Sequence, residues 1–297
     1  MVTLETVNNA LKNVYLAVVS DQLNNNTDAV LTKIKQTTSD VWGKEIIKNV
    51  YFEDKTLTFK EDLANIYASI EISDKAIRCC SNSAGAFVNL LNDEIESMVA
   101  NSQKRLRNAF YTEDTKPDYL PKEAQFNPVE ICGLKELFDI KSEKLYGLKR
   151  KEHKELNPKI EKIDKFDPIK IQEIIDNNND EVDIIVCSSK IRRYYMQYLT
   201  EHLQEIEVQE LGGGFKGMVF NNSLIMITAP IPDNEIYLLN TKDFTFHQLC
   251  DWEWLEDENG KILKQLDRPV YKATLVKYGN IMCYKPSKQI KVIIDTK

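Results

Sequence analysis

Three patterns in the 297-residue sequence could carry chemistry. Gly212, Gly214 and Gly217 stand at the GxGxxG spacing of a dinucleotide-binding loop, in which backbone amides approach a pyrophosphate. Such a loop follows a strand and opens a helix. Here the following segment, MVFNN, is strand-like and the preceding one is not, so a tight bend into a strand is the simpler reading. GGGFKGM also lacks the spacing and the Ser/Thr of a P-loop. Cys187 and Ser188, at the strand-to-helix junction IIVCSSKIRR, have the types of nucleophiles but need a positioned base. His153, His202 and His247 are far apart in the chain and not at helical ligand spacing. Asp251, Glu253, Glu256, Asp257 and Glu258 match no calcium-loop spacing and read as a charged hairpin tip. The six cysteines, Cys79, Cys80, Cys132, Cys187, Cys250 and Cys283, form no CxxC or zinc ladder and read as reduced thiols. No catalytic, cofactor-binding or metal-ligating residue is assigned.

The composition sets wider bounds. With 42% hydrophobic and 29% charged residues the chain can bury a real core, and its length suggests about two domains. No run approaches the roughly 18 to 20 apolar residues of a membrane span. The N-terminus lacks the basic region and cleavage site of a secretory signal. A net charge of −7 disfavours a sequence-independent duplex binder.

The elements that would position these residues begin with an arm. Val7, Leu11, Val14, Tyr15 and Val18 predict a first short helix, LNNNTD interrupts it, and Val30, Leu31, Ile34 and Lys35 predict a second. EIIKNVYF and KTLTF flank Asp54–Lys55 as a hairpin, and IYASIEIS alternates as a half-buried strand. A helix of about thirty residues follows, with Phe87, Leu91, Ile95, Met98, Leu106 and Phe110 on one stripe and Ser81 or Ser83 as cap. The proline-bearing stretch 113–128 reads as a linker, and the Lys-rich stretch 141–170 as a solvated loop or insertion. PIKIQEIIDNN, VDIIVCS and SKIRRYYMQYLTEHL form a helix–strand–helix layer, with Ser188 or Ser189 as cap. The C-terminal part turns antiparallel. A hairpin is expected at Glu258-Asn259-Gly260, and two final strands are expected to be broken by Gly279–Asn280 and Pro286. Trp252 and Trp254 share one strand face, as core residues do. The class is α+β.

In this order the sequence resembles the major capsid proteins of tailed bacteriophages with the Hong Kong 97-type fold. ALKNVYLAVVSDQLNNNTDAVLTKIKQTTSDVWGKEI looks like the N-arm leading into a short E-loop. IYASIEISDKAIRCCSNSAGAFVNLLNDEIESMVANSQKRLRNAFY looks like the P-domain entry and spine helix. VDIIVCSSKIRRYYMQYL and ELGGGFKGMVFNN, with the strands after them, look like the A-domain and the returning P-domain strands. The resemblance implies an N-terminal arm at 1–43, an E-loop at 44–66 and a P-domain with spine helix at 67–124. It further implies an A-domain at 125–243, a P-domain return hairpin at 244–283 and an A-domain C-terminal strand at 284–297. It implies no enzyme and no cofactor. Subunits would form hexamers and pentamers of an icosahedral shell around double-stranded DNA, without sequence-specific binding. Partners would be a separate scaffolding protein and a portal protein, with no membrane. The location would be the virion capsid, assembled in the host bacterial cytoplasm, with little or nothing removed by a maturation protease. Inter-subunit contacts are expected from Glu53, Asp54 and Lys55 at the E-loop tip. A second set is expected from Glu256, Asp257, Glu258, Asn259, Gly260 and Lys261 at the P-domain hairpin tip. The arm and E-loop should lack a core of their own before assembly. Lys55, Lys60 and Asn280 are of the types that form isopeptide cross-links in one branch of the family, though nothing singles them out. An encapsulin-like compartment is the alternative within this fold, and a nucleotide-binding enzyme through 125–243 the alternative outside it.

Overall fold

The computed structural model describes residues 16–80, 84–111, 131–178, 182–202, 205–211, 213–221, 224–256, 262–264 and 268–295. The first helix region at 7–15, the caps Ser81 and Ser83, and the linker 113–128 lie outside them. Helix α1 (Leu16–Asn25) is followed by strands β1 (Lys35–Thr37), β2 (Val41–Trp42), β3 (Glu45–Tyr51), β4 (Thr56–Asp62) and β5 (Ala64–Ser73). Then come α2 (Asp74–Cys80), α3 (Ala84–Tyr111), α4 (Leu134–Phe138), β6 (Lys144–Leu145), β7 (Leu148–Lys149), β8 (Lys159–Ile163) and α5 (Pro168–Asn177). After β9 (Ile184–Cys187) and α6 (Ser189–Glu201) follow β10 (Val208–Glu210), β11 (Lys216–Phe220), β12 (Leu224–Thr228) and β13 (Glu235–Leu239). The chain closes with β14 (Phe244–Gln248), β15 (Glu253–Trp254), β16 (Ile262–Lys264), β17 (Val270–Cys283) and β18 (Ile290–Ile294).

The strands form two large layers. A seven-stranded mixed sheet has the order β10-β11-β12-β9-β13-β18-β8. Its middle strand β9, IIVC, is buried at every residue, as a continuous apolar run covered on both faces should be. Ile185 and Cys187 meet Ile191 and Tyr195 of α6 on one face, while Ile184 and Val186 join the largest core cluster on the other. Asp167 caps α5 and Ser188 caps α6, so the latter hydroxyl is committed to a helix end.

The second sheet is built on β17. One edge of this strand pairs with β5 from Val270↔Ser73 to Gly279↔Ala64. Its other edge takes β14, β15 and β16 in turn, and β1 lies parallel to β14. Helix α3, 28 residues long, spans roughly 42 Å at 1.5 Å per residue. Its stripe Leu91, Ile95 and Met98 packs with Ala68, Ile70 and Ile72 of β5, and with Trp252 and Trp254.

Four local expectations change. Residues 31–33 form a short 3-10 turn and Lys35 already belongs to β1, because pairing with β14 outweighs the helical spacing. The stretch from 141 to 158 is anchored rather than loosely solvated: Arg150 is buried and donates to the carbonyls of Leu156, Glu136 and Leu137 at 2.6, 3.0 and 2.9 Å. Strands β15 and β16 are not paired with each other as the arms of the expected hairpin: Trp254 pairs with Leu275 and Ile262 with Ala273, so both run in the same direction along one edge of β17, and Glu258-Asn259-Gly260 lies outside the described residues.

The fourth change is that β17 passes unbroken through Gly279 and Asn280. Asn280 is buried, and its amide spans the molecule: Oδ1 accepts from Cys132 N and Ile281 N, and Nδ2 donates to Asp62 O. That burial also removes it as an accessible cross-linking residue. Gly279 is required for space, since a Cβ there would lie 2.6 Å from both the His247 carbonyl oxygen and the Phe246 ring. Gly279→Ala is expected to cost about 1–3 kcal/mol through overpacking, read as a fall of several degrees in thermal midpoint.

Candidate assembly surfaces

The predicted tip residues sit at the turn of the hairpin β3–β4, where Phe52 N donates to Lys55 O at 2.8 Å. Glu53 and Asp54 are exposed, while Lys55 reaches back to Glu155 at 3.0 Å. The register Val50↔Leu57, Lys48↔Phe59 and Ile46↔Glu61 puts all six of these side chains on one face. That face is buried against the chain's own body. Ile46, Val50, Leu57 and Phe59 join one cluster with Leu134, Leu137 and Tyr146. The expectation of a loop without its own core is therefore corrected, because an alternating apolar face finds a partner within the same chain.

Tyr146 is the residue that holds this packing, and sequence reasoning passed over it. It occupies the left-handed region with φ 51°, beside Gly147 at φ 75°, in the two-residue turn between β6 and β7. Its ring stacks on Phe59 at 5.1 Å, its carbonyl accepts from Lys60 N at 3.0 Å, and its hydroxyl accepts from Cys283 N at 2.8 Å. The signal in the sequence was Tyr-Gly between Leu145 and Leu148, a hairpin turn inside a Lys-rich stretch.

Glu61 lies on the buried face of the same hairpin. Burial, with Glu136 and Asp62 nearby, pushes its carboxyl up to about 8. The folded state therefore holds a proton that the unfolded state loses near 4.5, and stability falls as pH rises through that window. Glu61→Gln is expected to match the parent in thermal midpoint near pH 5 and to exceed it at pH 8.5.

The second predicted surface is only partly described. Glu256 is exposed beside the half-exposed Leu255, and Asp257, Glu258, Asn259, Gly260 and Lys261 lie outside the described residues. Trp252 and Trp254, just before it, are buried against α3.

The patterns that suggested chemistry have structural roles here. Gly213 and Gly214, at φ 59° and 80°, turn the chain between β10 and β11, where Leu211 N donates to Phe215 O; Gly212 lies outside the described residues. Burial pushes the Cys187 thiol up to about 12, the opposite of an activated nucleophile. His247 is buried with its ring nitrogens 2.9 Å from Ser39 O and 2.8 Å from the Tyr284 hydroxyl, and burial lowers its pKa. Among the described residues no group of three or more His, Cys, Asp or Glu side chains could hold a metal ion. No helix among them is long and apolar enough to cross a membrane.

Comparison with solved structures is extensive in coverage and low in identity. The cyanophage A-1(L) capsid superposes with a TM-score of 0.61 over 93% of this chain and 92% of its own, at 11% identity. The capsid of a native GTA particle does so with a TM-score of 0.54 over 91% of each chain, at 10% identity. The holo-SrpI encapsulin complex of Synechococcus elongatus PCC 7942 gives 0.55 over 93% and 94%, at 10% identity. This chain has the Hong Kong 97-type fold. No family model and no curated protein matches the sequence.

One buried group ties the arm to the spine of this Hong Kong 97-type chain. Asp28 accepts from the Tyr111 hydroxyl at 2.8 Å and from Val30 N at 2.8 Å, and its other oxygen is 3.1 Å from Arg107 Nε. Arg107 also donates to Thr228 O at the end of β12. Asp28→Ala is expected to cost roughly 2 kcal/mol by stranding the Tyr111 hydroxyl and the guanidinium. The figure sits at the low end because Arg107 is 40% exposed and keeps part of its hydration. Asp28→Asn should recover part of the loss in a denaturant titration.

Proposed function

We propose that this chain is a shell subunit that self-assembles as hexamers and pentamers into a closed icosahedral container for double-stranded DNA. The observation that carries the reading is the fold itself, shared over 93% of the chain with a cyanophage capsid and accounting for nearly every described element. The tip residues Glu53–Lys55 and the stretch Glu256–Lys261 are the proposed contacts with neighbouring subunits. The net charge of −7 suits a wall that must not hold tightly to what it encloses. A scaffolding protein, a portal protein and assembly in the host bacterial cytoplasm complete the proposal. The domain limits given by the resemblance belong to it as well.

The encapsulin neighbour, covered over 94% of its own chain, supports a second reading in which the shell encloses protein. The two differ in contents rather than in wall. A nucleotide-binding enzyme is not favoured, because Gly214 lies in the turn between β10 and β11 and Gly217 within β11 at one edge of the seven-stranded sheet, where a strand follows in place of the helix such a loop opens.

Negative-stain microscopy of the overexpressed protein tests the shell reading: closed shells, tubes or rings are expected, and a persistent monomer at high concentration overturns it. Nuclease-protected DNA in particles purified from their natural source separates the DNA container from the encapsulin. Reversing both exposed tip charges, Glu53→Lys with Asp54→Lys, is expected to raise the protein concentration needed for assembly several-fold while leaving the monomer's thermal midpoint within a few degrees. An unchanged assembly threshold would remove the E-loop tip from the interface.

A further inference from the structure

Helix α1 is fastened very differently at its two ends. Just beyond its C-terminal end, Thr27, Asp28, Ala29 and Val30 are fully buried and Asp28 makes the ion pair with Arg107. Along the helix itself only Val19 and Leu23 are buried. Its side-chain polar contacts with the sheet converge on one amine. Lys277, in the middle of β17, has a side chain that is 4% exposed. Its Nζ donates to Asn24 Oδ1 on α1 at 2.7 Å and to Gln36 Oε1 on β1 at 3.2 Å, and lies 3.6 Å from Asp251 Oδ1. Asn24 is held for this contact: Trp252 Nε1 donates to its Oδ1 at 3.2 Å, and its Nδ2 donates to Asp251 Oδ1 at 3.1 Å. The rings of Phe246 and Trp252 lie 5.1 and 5.8 Å from the amine. A small cavity of about 50 Å³, bordered by Leu23, Leu31, Leu106 and Lys277, adjoins the site.

We propose that α1 is a releasable strap whose grip is set by the charge on Lys277, the ammonium weakening docking and a neutral side chain at the same place tightening it. A buried ion that is incompletely compensated favours any state in which it regains water. The compensation here is incomplete. Asp251 is 3.6 Å away and 60% exposed, and the two groups in closest contact, Asn24 and Gln36, are uncharged. The titratable groups that act on the amine are Asp251 and Cys250, and both favour its charged form. Burial outweighs them and pushes the amine down to about 8. With the strap lifted, the amine returns toward its ordinary value near 10.5. Docking therefore sheds a proton, and the strap closes more tightly as pH rises from 8 toward 10.5 and is insensitive to pH below about 7. Lifting it withdraws Val19 and Leu23 from the apolar cluster they share with Trp252, so the state of one amine decides whether part of that cluster meets solvent.

Hydrogen exchange of the full chain, read by mass spectrometry as protection factors over residues 16–25, tests the proposal. In the parent, protection is expected to rise on the order of tenfold or more between pH 7 and 9.5, with β9 as an internal reference that does not follow. Lys277→Met should show higher protection than the parent at pH 7 and no rise with pH. Asp251→Asn should show lower protection at pH 7. If Lys277→Met loses protection in β17 as well, the fold has failed, and the parent's pH series with Asp251→Asn decides. A parent that does not respond to pH, or a folded Lys277→Met with a looser α1, overturns the proposal.

Discussion

The buried carboxylate of Asp28 is the constraint on which the arrangement of the parts depends. It is 2% exposed and joins three separate pieces of chain: the arm it belongs to, the last turn of the long helix through Tyr111 and Arg107, and the end of β12 through the Arg107–Thr228 contact. A charge so placed is tolerated only with all of its partners in position, so it specifies one relation among those pieces rather than merely adding stability. Asn280 does the same with a neutral amide, holding β17, the end of β4 and the start of the segment after the linker in one register.

Much of the architecture was legible because periodicity reports burial directly. The alternation in IYASIEIS, the stripe on the long helix, the IIVC run and the two tryptophans each name a face, and the structure buries those faces. What was not legible depends on distant partners. Whether Gly279–Asn280 ends a strand or continues it is decided by the His247 carbonyl and the Phe246 ring on β14, some thirty residues earlier in the chain. Whether β15 and β16 pair with each other is decided by β17, which supplies an edge for both. Nothing in the sequence marks Lys277, set in an apolar strand, or Glu61, set in an alternating hairpin, as buried; their distant neighbours decide it.

The two proposed contact surfaces differ in how much of them the chain already satisfies. The β3–β4 hairpin buries its inner face at home, where Phe59 meets Tyr146, and offers outward Glu53, Asp54 and the largely exposed Tyr51, with Trp42 of β2 beside it. A loop already folded onto its own body costs less ordering entropy when it meets a neighbour than an unstructured one would. The second surface follows Trp252 and Trp254, which are buried in the core and fix the strand from which it starts.

The margins of the seven-stranded sheet bear on what crowding does to such a protein. One margin is β10, three residues long and exposed at each, with Glu210 paired to Lys216; the other is β8, which carries Glu161 and Lys162 toward solvent. A long flat apolar margin would offer its free amides and carbonyls to any other copy and invite indefinite strand-on-strand growth. Brevity at one border and charge at both deny that route, so that when many copies gather closely the sheets stay separate and association is left to side-chain surfaces that can be reversed.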